Sequence, residues 1–391
     1  MYVIQNVDLV LEDGTVENGN VFIQDGKIQK IGTDEIGDAV VLFDGTDQGL
    51  TLYPGFIDVH IHGANGCDVM DGTEEALEEM SRVLPNEGTT SFLATTMTQS
   101  HERIERAVEN AGHYIARQQA DGRAEALGIH LEGPFISTDK AGAQPHEHIV
   151  PPNKELFQKW QKKSGDHIKL VTLAPESDGA LDFIAYLSQS GVVPSIGHSN
   201  ATFQQVKEAV DCGAKHVTHL FNQMSGLHHR EPGVVGGALL HPELKTEMIV
   251  DGIHVHLDAI RLAYAQKGSE HTILITDAMR AKCLPEGVYD LGGQDVHVKN
   301  GEARLEDGTL AGSILTLQEA AKRMRSINDL TKREIVQVTS ENAAKQLGVF
   351  DRKGSISAGK DADLVLMDES MNLVATFCKG VISYQKGGEL S

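Results

Sequence analysis

Six residues combine a reactive side chain with a recurring position: His60, His62, Glu132, His198, His219 and Asp277. Each stands at or just past the end of a short apolar run. His60 and His62 close Phe56-Ile57-Asp58-Val59, and Glu132 follows Gly128-Ile129-His130-Leu131. His198 follows Pro194-Ser195-Ile196-Gly197, His219 ends Lys215-His216-Val217-Thr218, and Asp277 ends Ile273-Leu274-Ile275-Thr276. On an extended chain, side chains two apart share a face, so His60 and His62 can aim two imidazoles at one point. Four imidazoles and two carboxylates suit zinc, iron, manganese or cobalt. Scattered structural histidines would not select one position repeatedly, so the pattern predicts a polynuclear divalent-metal site. The chemistry on offer is metal-assisted hydrolysis, in which a bound water's pKa falls toward about 7 and a carbonyl is polarised. Ionised Asp277 is an acceptor that can take a proton from that water and hand it to the leaving group. Metal ligation and a loop cap are its competing roles.

Those residues need elements to carry them. Eight apolar runs (55–59, 89–94, 127–131, 168–173, 192–196, 215–219, 246–250 and 272–276) alternate with helical stretches at 73–84, 100–119, 153–163, 178–190, 201–212, 258–268 and 314–327. In 100–119, Ile104, Ala107, Val108, Ala111 and Ile115 form one helical stripe. Eight strand–helix units predict an α/β fold, a (β/α)₈ TIM-like barrel whose active site gathers at the strand C-terminal ends. The link after the sixth run is the weakest, and 287–312 reads as an inserted hairpin. No Gly-x-Gly-x-x-Gly follows the first run, which removes support for a dinucleotide fold. Both chain ends are short strands and turns without helical period. They are expected to pair as one small β-sandwich domain, residues 1–53 and 349–391, around a catalytic barrel at 54–348.

Composition narrows the partners. The 391 residues carry 34 basic and 56 acidic side chains, a net charge of -22, which argues against nucleic acid and anionic membrane. The amino terminus lacks a basic and apolar leader, and no run approaches a membrane span. Cys67, Cys212, Cys283 and Cys378 are scattered without a Cys-x-x-Cys, as expected of reduced thiols in a cytoplasmic protein. His130 and His216 read as packed or supporting histidines, and His146, His148, His228, His229, His241 and His256 as loop residues.

Pro54-Gly55-Phe56-Ile57-Asp58-Val59-His60-Ile61-His62-Gly63 and Gly354-Ser355-Ile356-Ser357-Ala358-Gly359-Lys360-Asp361-Ala362-Asp363-Leu364-Val365 resemble the amidohydrolase superfamily. His130-Leu131-Glu132-Gly133-Pro134-Phe135, Gly197-His198-Ser199, Thr218-His219-Leu220-Phe221-Asn222-Gln223-Met224, Arg230-Glu231-Pro232-Gly233 and Thr276-Asp277-Ala278-Met279 resemble its N-acetylglucosamine-6-phosphate deacetylases, nearly end to end. Glu132 discriminates most, because many superfamily relatives place a carboxylated lysine there. The resemblance implies hydrolysis of the acetamide of N-acetyl-D-glucosamine 6-phosphate, with Glu132, His198 and His219 as a metal triad. His60 and His62 allow a second ion, hence one or two divalent ions per subunit. It further implies a homodimer, with Arg230 reaching the neighbouring site's phosphate, and sugar or phosphate contacts from Ala143, Gln144, Asn222, Gln223, His254, Leu310, Ala311 and Gly312. Gln144 departs from the family pattern, where many relatives have histidine. The alternatives are N-acetylgalactosamine 6-phosphate as substrate, another amidohydrolase activity, or a catalytically dead scaffold.

Overall fold

The computed structural model describes residues 1–33 and 36–387. Eight parallel strands form the barrel wall in chain order: Phe56–Ile61, Thr89–Thr95, Glu125–Glu132, Ile168–Leu173, Val193–Ile196, His216–Val217, Lys245–Ile249 and Thr272–Ile275. These are the eight predicted runs. The ring closes just beyond the ladder, where Ile61 bridges Ala278, the Asp277 N–H donates to the His60 carbonyl (2.9 Å) and the His62 N–H to the Ala278 carbonyl (2.9 Å). The first and last strands therefore meet at His60, His62 and Asp277.

Helices cover the wall for the reason their stripes suggest. In His101–Arg117 the side chains of Ile104, Ala107, Val108 and Ala111 are buried, and Ser100 Oγ caps the first turn by accepting the Arg103 N–H. Each buried Val or Ile contributes about 1.5–3 kcal/mol. Gly112 on the same helix leaves room for the neighbouring helix Lys154–Lys163; a Cβ there would run into the Ser164 carbonyl, so Gly112→Ala would separate the pair. Two helical regions escape the periodicity argument. Gly233–Leu240 is buried almost all round, so it lacks the polar face that creates a period. Lys332–Gln346 is a short α segment, a π turn over Gln337–Glu341 and another short α segment, packed beneath the closing strands.

Between the eighth strand and helix Leu317–Asn328 lies an antiparallel three-strand insert, Gly287–Leu291, Gln294–Lys299 and Glu302–Arg304, one strand more than a hairpin. It is moored over the barrel mouth: Gln294 Nε2 donates to the Ala143 carbonyl (2.8 Å), and Gln99 Nε2 to the Gly292 carbonyl (2.6 Å). The chain termini build the separate small β domain. One eight-stranded ladder joins Tyr2–Val10, its neighbours through Thr51–Pro54, and the C-terminal strands Leu364–Met367, Leu373–Cys378 and Val381–Gln385. Its own core includes Ile4, Leu9, Ile23, Leu52, Leu364 and Phe377.

Candidate functional site

The six singled-out side chains converge at the C-terminal mouth of the barrel. Glu132 is the hub. Its Oε1 lies 3.2 Å from His198 Nε2, 3.2 Å from His219 Nε2 and 3.3 Å from His60 Nε2; its Oε2 lies 3.3 Å from His62 Nε2. Asp277 Oδ1 completes the far side, 3.4 Å from His60 Nε2 and 3.3 Å from His62 Nε2. Two adjacent groups with metal-ligand spacing result from these six, Glu132–His198–His219 and His60–His62–Asp277. All six residues are buried.

Local backbone explains how strand ends can aim inward so sharply. His198 (φ 47°), His219 (φ 30°) and Asp277 (φ 48°) all adopt left-handed backbone two residues past the ends of their strands. Such conformations cost on the order of 1–3 kcal/mol each and persist only where surroundings hold them. The turn after Glu132 has the same demand: Gly133 has φ 70°, and a Cβ there would collide with Thr98 Oγ1.

Hydrogen bonds fix which imidazole nitrogens face the centre. His198 Nδ1 donates to the Lys140 carbonyl (2.8 Å) and His60 Nδ1 to Glu247 Oε2 (2.9 Å), leaving each Nε2 lone pair directed at Glu132. His198 Nε2 and His219 Nε2 stand 3.1 Å apart. Among the described residues His60 Nε2 is buried without a hydrogen-bond partner. Converging lone pairs and carboxylate oxygens with no chain cation among them require a positive charge. Burial would depress the His60 imidazole, yet Asp277, Glu132 and Glu247 overcome it and hold it well above its ordinary value. His62 behaves alike: burial opposes protonation, but the hydrogen bonds its imidazole donates to Asp277 and Glu132 raise it to about 10. Burial likewise opposes ionisation of Glu132 and Asp277, and the His60 charge leads the factors that keep both below the usual carboxylate range. Protons thus serve where a divalent cation fits.

A cleft of about 310 Å³ opens above this cage. Of the expected substrate contacts, Ala143, Gln144, Asn222, Gln223, His254, Leu310 and Gly312 line it. Gln144 is committed: its Nε2 donates to Glu132 Oε2 (2.8 Å) and its Oε1 accepts the Thr98 N–H (2.7 Å), so it orients the hub carboxylate. His254 donates Nδ1–H to Asp251 Oδ2 (2.6 Å), which leaves Nε2 for a ligand. Two expected residues lie outside the lining. Ala311 is fully buried, its N–H spent on the Ala303 carbonyl. Arg230 sits on an exposed turn closed by the His228–Glu231 bridge, hydrogen-bonded to its neighbour His229 (2.7 Å).

Sequence reasoning missed Glu247 and Arg304. Glu247 is completely buried within the seventh strand, and a charge inside the run Thr246–Val250 was the available signal. Arg304 reaches the cleft from the insert and is the one Lys or Arg lining it among the described residues. Nothing in a polar hairpin separates such a residue from a solvated one.

The amidohydrolase family model matches residues 51–383. The N-acetylglucosamine-6-phosphate deacetylase of Bacillus subtilis (strain 168) is 49% identical over 382 residues, 97% of this chain and 96% of the relative. The crystal structure of N-acetylglucosamine-6-phosphate deacetylase from Thermotoga maritima superposes with a TM-score of 0.87 at 36% identity, covering 98% of this chain and 99% of the other. A mutant of the Mycobacterium smegmatis deacetylase, solved in complex with N-acetyl-D-glucosamine-6-phosphate, gives a TM-score of 0.90 at 29% identity, over 98% and 99% of the two chains. With the barrel, the strand-end cage and these relatives in agreement, the chain belongs to the amidohydrolase family, in its N-acetylglucosamine-6-phosphate deacetylase branch.

Proposed function

We infer that the chain hydrolyses the acetamide of N-acetyl-D-glucosamine 6-phosphate to D-glucosamine 6-phosphate and acetate. The observation that carries this reading is Glu132, one carboxylate shared by two histidine groups at the floor of a sugar-sized cleft. Glu132, His198 and His219 would hold one divalent ion, and His60, His62 and Asp277 a second; zinc, iron, manganese and cobalt all suit these donors. The orphaned His60 Nε2 and the close pair of imidazole nitrogens support that fit. Bound there, such an ion supplies Lewis acidity toward water and the amide carbonyl.

The chain's own groups do the remaining work. Asp277, kept ionised by its histidine neighbours, receives the proton of the attacking water on a carboxylate oxygen. The same oxygen then delivers it to the amine nitrogen, which would otherwise depart as an unstable anion. Gln144 and Thr98 hold Glu132 in one orientation. His254 Nε2 is offered to the sugar, and Asn222, Gln223 and Arg304 offer donors to its phosphate end.

A homodimer accounts for Arg230: it lies outside its own cleft, on a turn beside exposed Leu227, and would serve the neighbouring subunit's phosphate. Mixing Arg230→Ala with Asp277→Asn protein should restore activity that neither has alone. Four free cysteines support a cytoplasmic location; among the described residues no helix is long and apolar enough to cross a membrane. The deciding experiment is acetate release from N-acetylglucosamine 6-phosphate, N-acetylgalactosamine 6-phosphate and unphosphorylated N-acetylglucosamine by metal-loaded protein. The first should turn over fastest; no release with any of the four metals would sink the reading.

A further inference from the structure

Glu247 lies beneath the cage, in the seventh strand Lys245–Ile249, with no accessible surface. Three donors from two other parts of the wall converge on it. Its Oε2 accepts from His60 Nδ1 (2.9 Å) and from the His219 backbone N–H (3.0 Å). Its Oε1 accepts from His216 Nε2 (3.0 Å). An ionised carboxylate is acceptor-only, so it can take all three without a mismatch. The backbone repeats the link, because the Leu220 N–H donates to the Glu247 carbonyl (2.9 Å). His60 and His219 come from the two separate ligand groups and share this one buried anchor.

We propose that Glu247 is the positioning residue of the metal site: it fixes His60 with the proton on Nδ1 and the lone pair on Nε2, and holds the left-handed turn that aims His219. The proposal rests on the reading of His60 as a metal ligand. A ring whose far N–H faces a carboxylate is a stronger and better-oriented donor, and losing such a partner costs about 10–100-fold in metal affinity. His216 is the third spoke, which gives that buried histidine a purpose. Its Nδ1 has no partner among the described residues, so its ring is free to change tautomer if the group opposite it changes.

That freedom separates two variants. Glu247→Gln can keep its carbonyl on His60 and the His219 N–H while its amide faces a switched His216, so it removes chiefly the charge. Glu247→Leu removes every acceptor. Metal-free wild type, Glu247→Gln, Glu247→Leu and His60→Asn should each be titrated with zinc against a competing chelator, and their metal-free melting temperatures recorded. Affinity should fall about tenfold in Glu247→Gln and about 100-fold in Glu247→Leu. Equal zinc affinity in wild type and both Glu247 variants, with only the metal-free melting temperature lowered, overturns the proposal, since a residue that merely fills the wall behaves that way. If wild type takes up no zinc, or His60→Asn binds it as tightly as wild type, the ligand reading of His60 fails instead. Should Glu247→Leu not fold, ¹⁵N spectra of zinc-loaded wild type answer the same question: His60 carrying its proton on Nε2 refutes the proposal, and Nδ1–H supports it.

Discussion

The strand Glu125–Glu132 begins and ends in glutamate, and the two ends are surrounded differently. At the lower end Glu125 meets permanent cations: Arg352 (2.6 Å), Lys353 (3.0 Å) and Lys379 (3.0 Å). Arg352 also holds Asp361 (2.8 Å) and Lys353 pairs with Asp363, so the cluster ties the barrel to the C-terminal return of the chain. At the upper end Glu132 meets four imidazoles and, among the described residues, no Lys or Arg. Burying charge is common to both, and therefore identifies neither. The difference is where the compensating charge comes from. The lower cluster carries its own, permanently. The upper one borrows protons, which a metal can displace.

Glu132→Gln should break the upper end completely, emptying the metal site and abolishing nearly all acetate release while melting stays cooperative; elemental analysis beside an acetate assay tests it. Asp277→Asn is next. With metal retained, kcat should fall by about 10²–10⁴-fold with little change in KM; retained metal with near-normal turnover would rule out the proton shuttle. Lys353→Met attacks the lower end. Removing a buried partner leaves Glu125 and Asp363 short of a cation and should cost about 3–5 kcal/mol in a denaturant titration, without lowering the zinc bound per folded molecule.

The comparison also has a pH signature. His62 is raised from 6.5 to about 10 on folding, so its contribution is full below about 6.5 and is lost as pH rises through about 10. Lys353 is raised above the ordinary lysine range, burial opposing and Asp363 and Glu125 prevailing, so its contribution is intact throughout that window. Metal-free protein should thus lose melting temperature between about pH 6.5 and 10, while metal-loaded protein holds nearly level; parallel curves would show that the cage does not depend on its protons. The smallest effect is expected of Arg304→Ala. This guanidinium is 39% exposed and already bonded to Glu302, so KM for the phosphorylated sugar should rise only about tenfold, with no change for the unphosphorylated one.

Legibility in the sequence followed the same division. An apolar run that stops at histidine or a carboxylate announces both a strand and its upper end, which made His60, His62, Glu132, His198, His219 and Asp277 readable together. Glu247 was not, because its purpose depends on His60 and His216 from other strands, and alternation along one strand says nothing about partners. Helix Gly233–Leu240 was lost for want of a polar face, and Arg304 because a hairpin's exposed side looks the same whether or not a cleft lies beneath it. The commitment of Gln144 to Glu132 likewise needed coordinates, since a side-chain amide can serve substrate or protein equally well.

The seam between Ile61 and Ala278 has a consequence for how the protein is made. His60 and His62 leave the ribosome with the first strand, and Asp277 with the last. At about 5–20 residues per second, the interval between them is on the order of tens of seconds. Throughout it, the nascent chain displays a His-x-His pair without the carboxylate that completes its group. Completion of the His60–His62–Asp277 group therefore waits for the last barrel strand. A transcript truncated anywhere before Asp277 yields no half-active enzyme, only an open sheet with exposed edges, a substrate for chaperones and proteases.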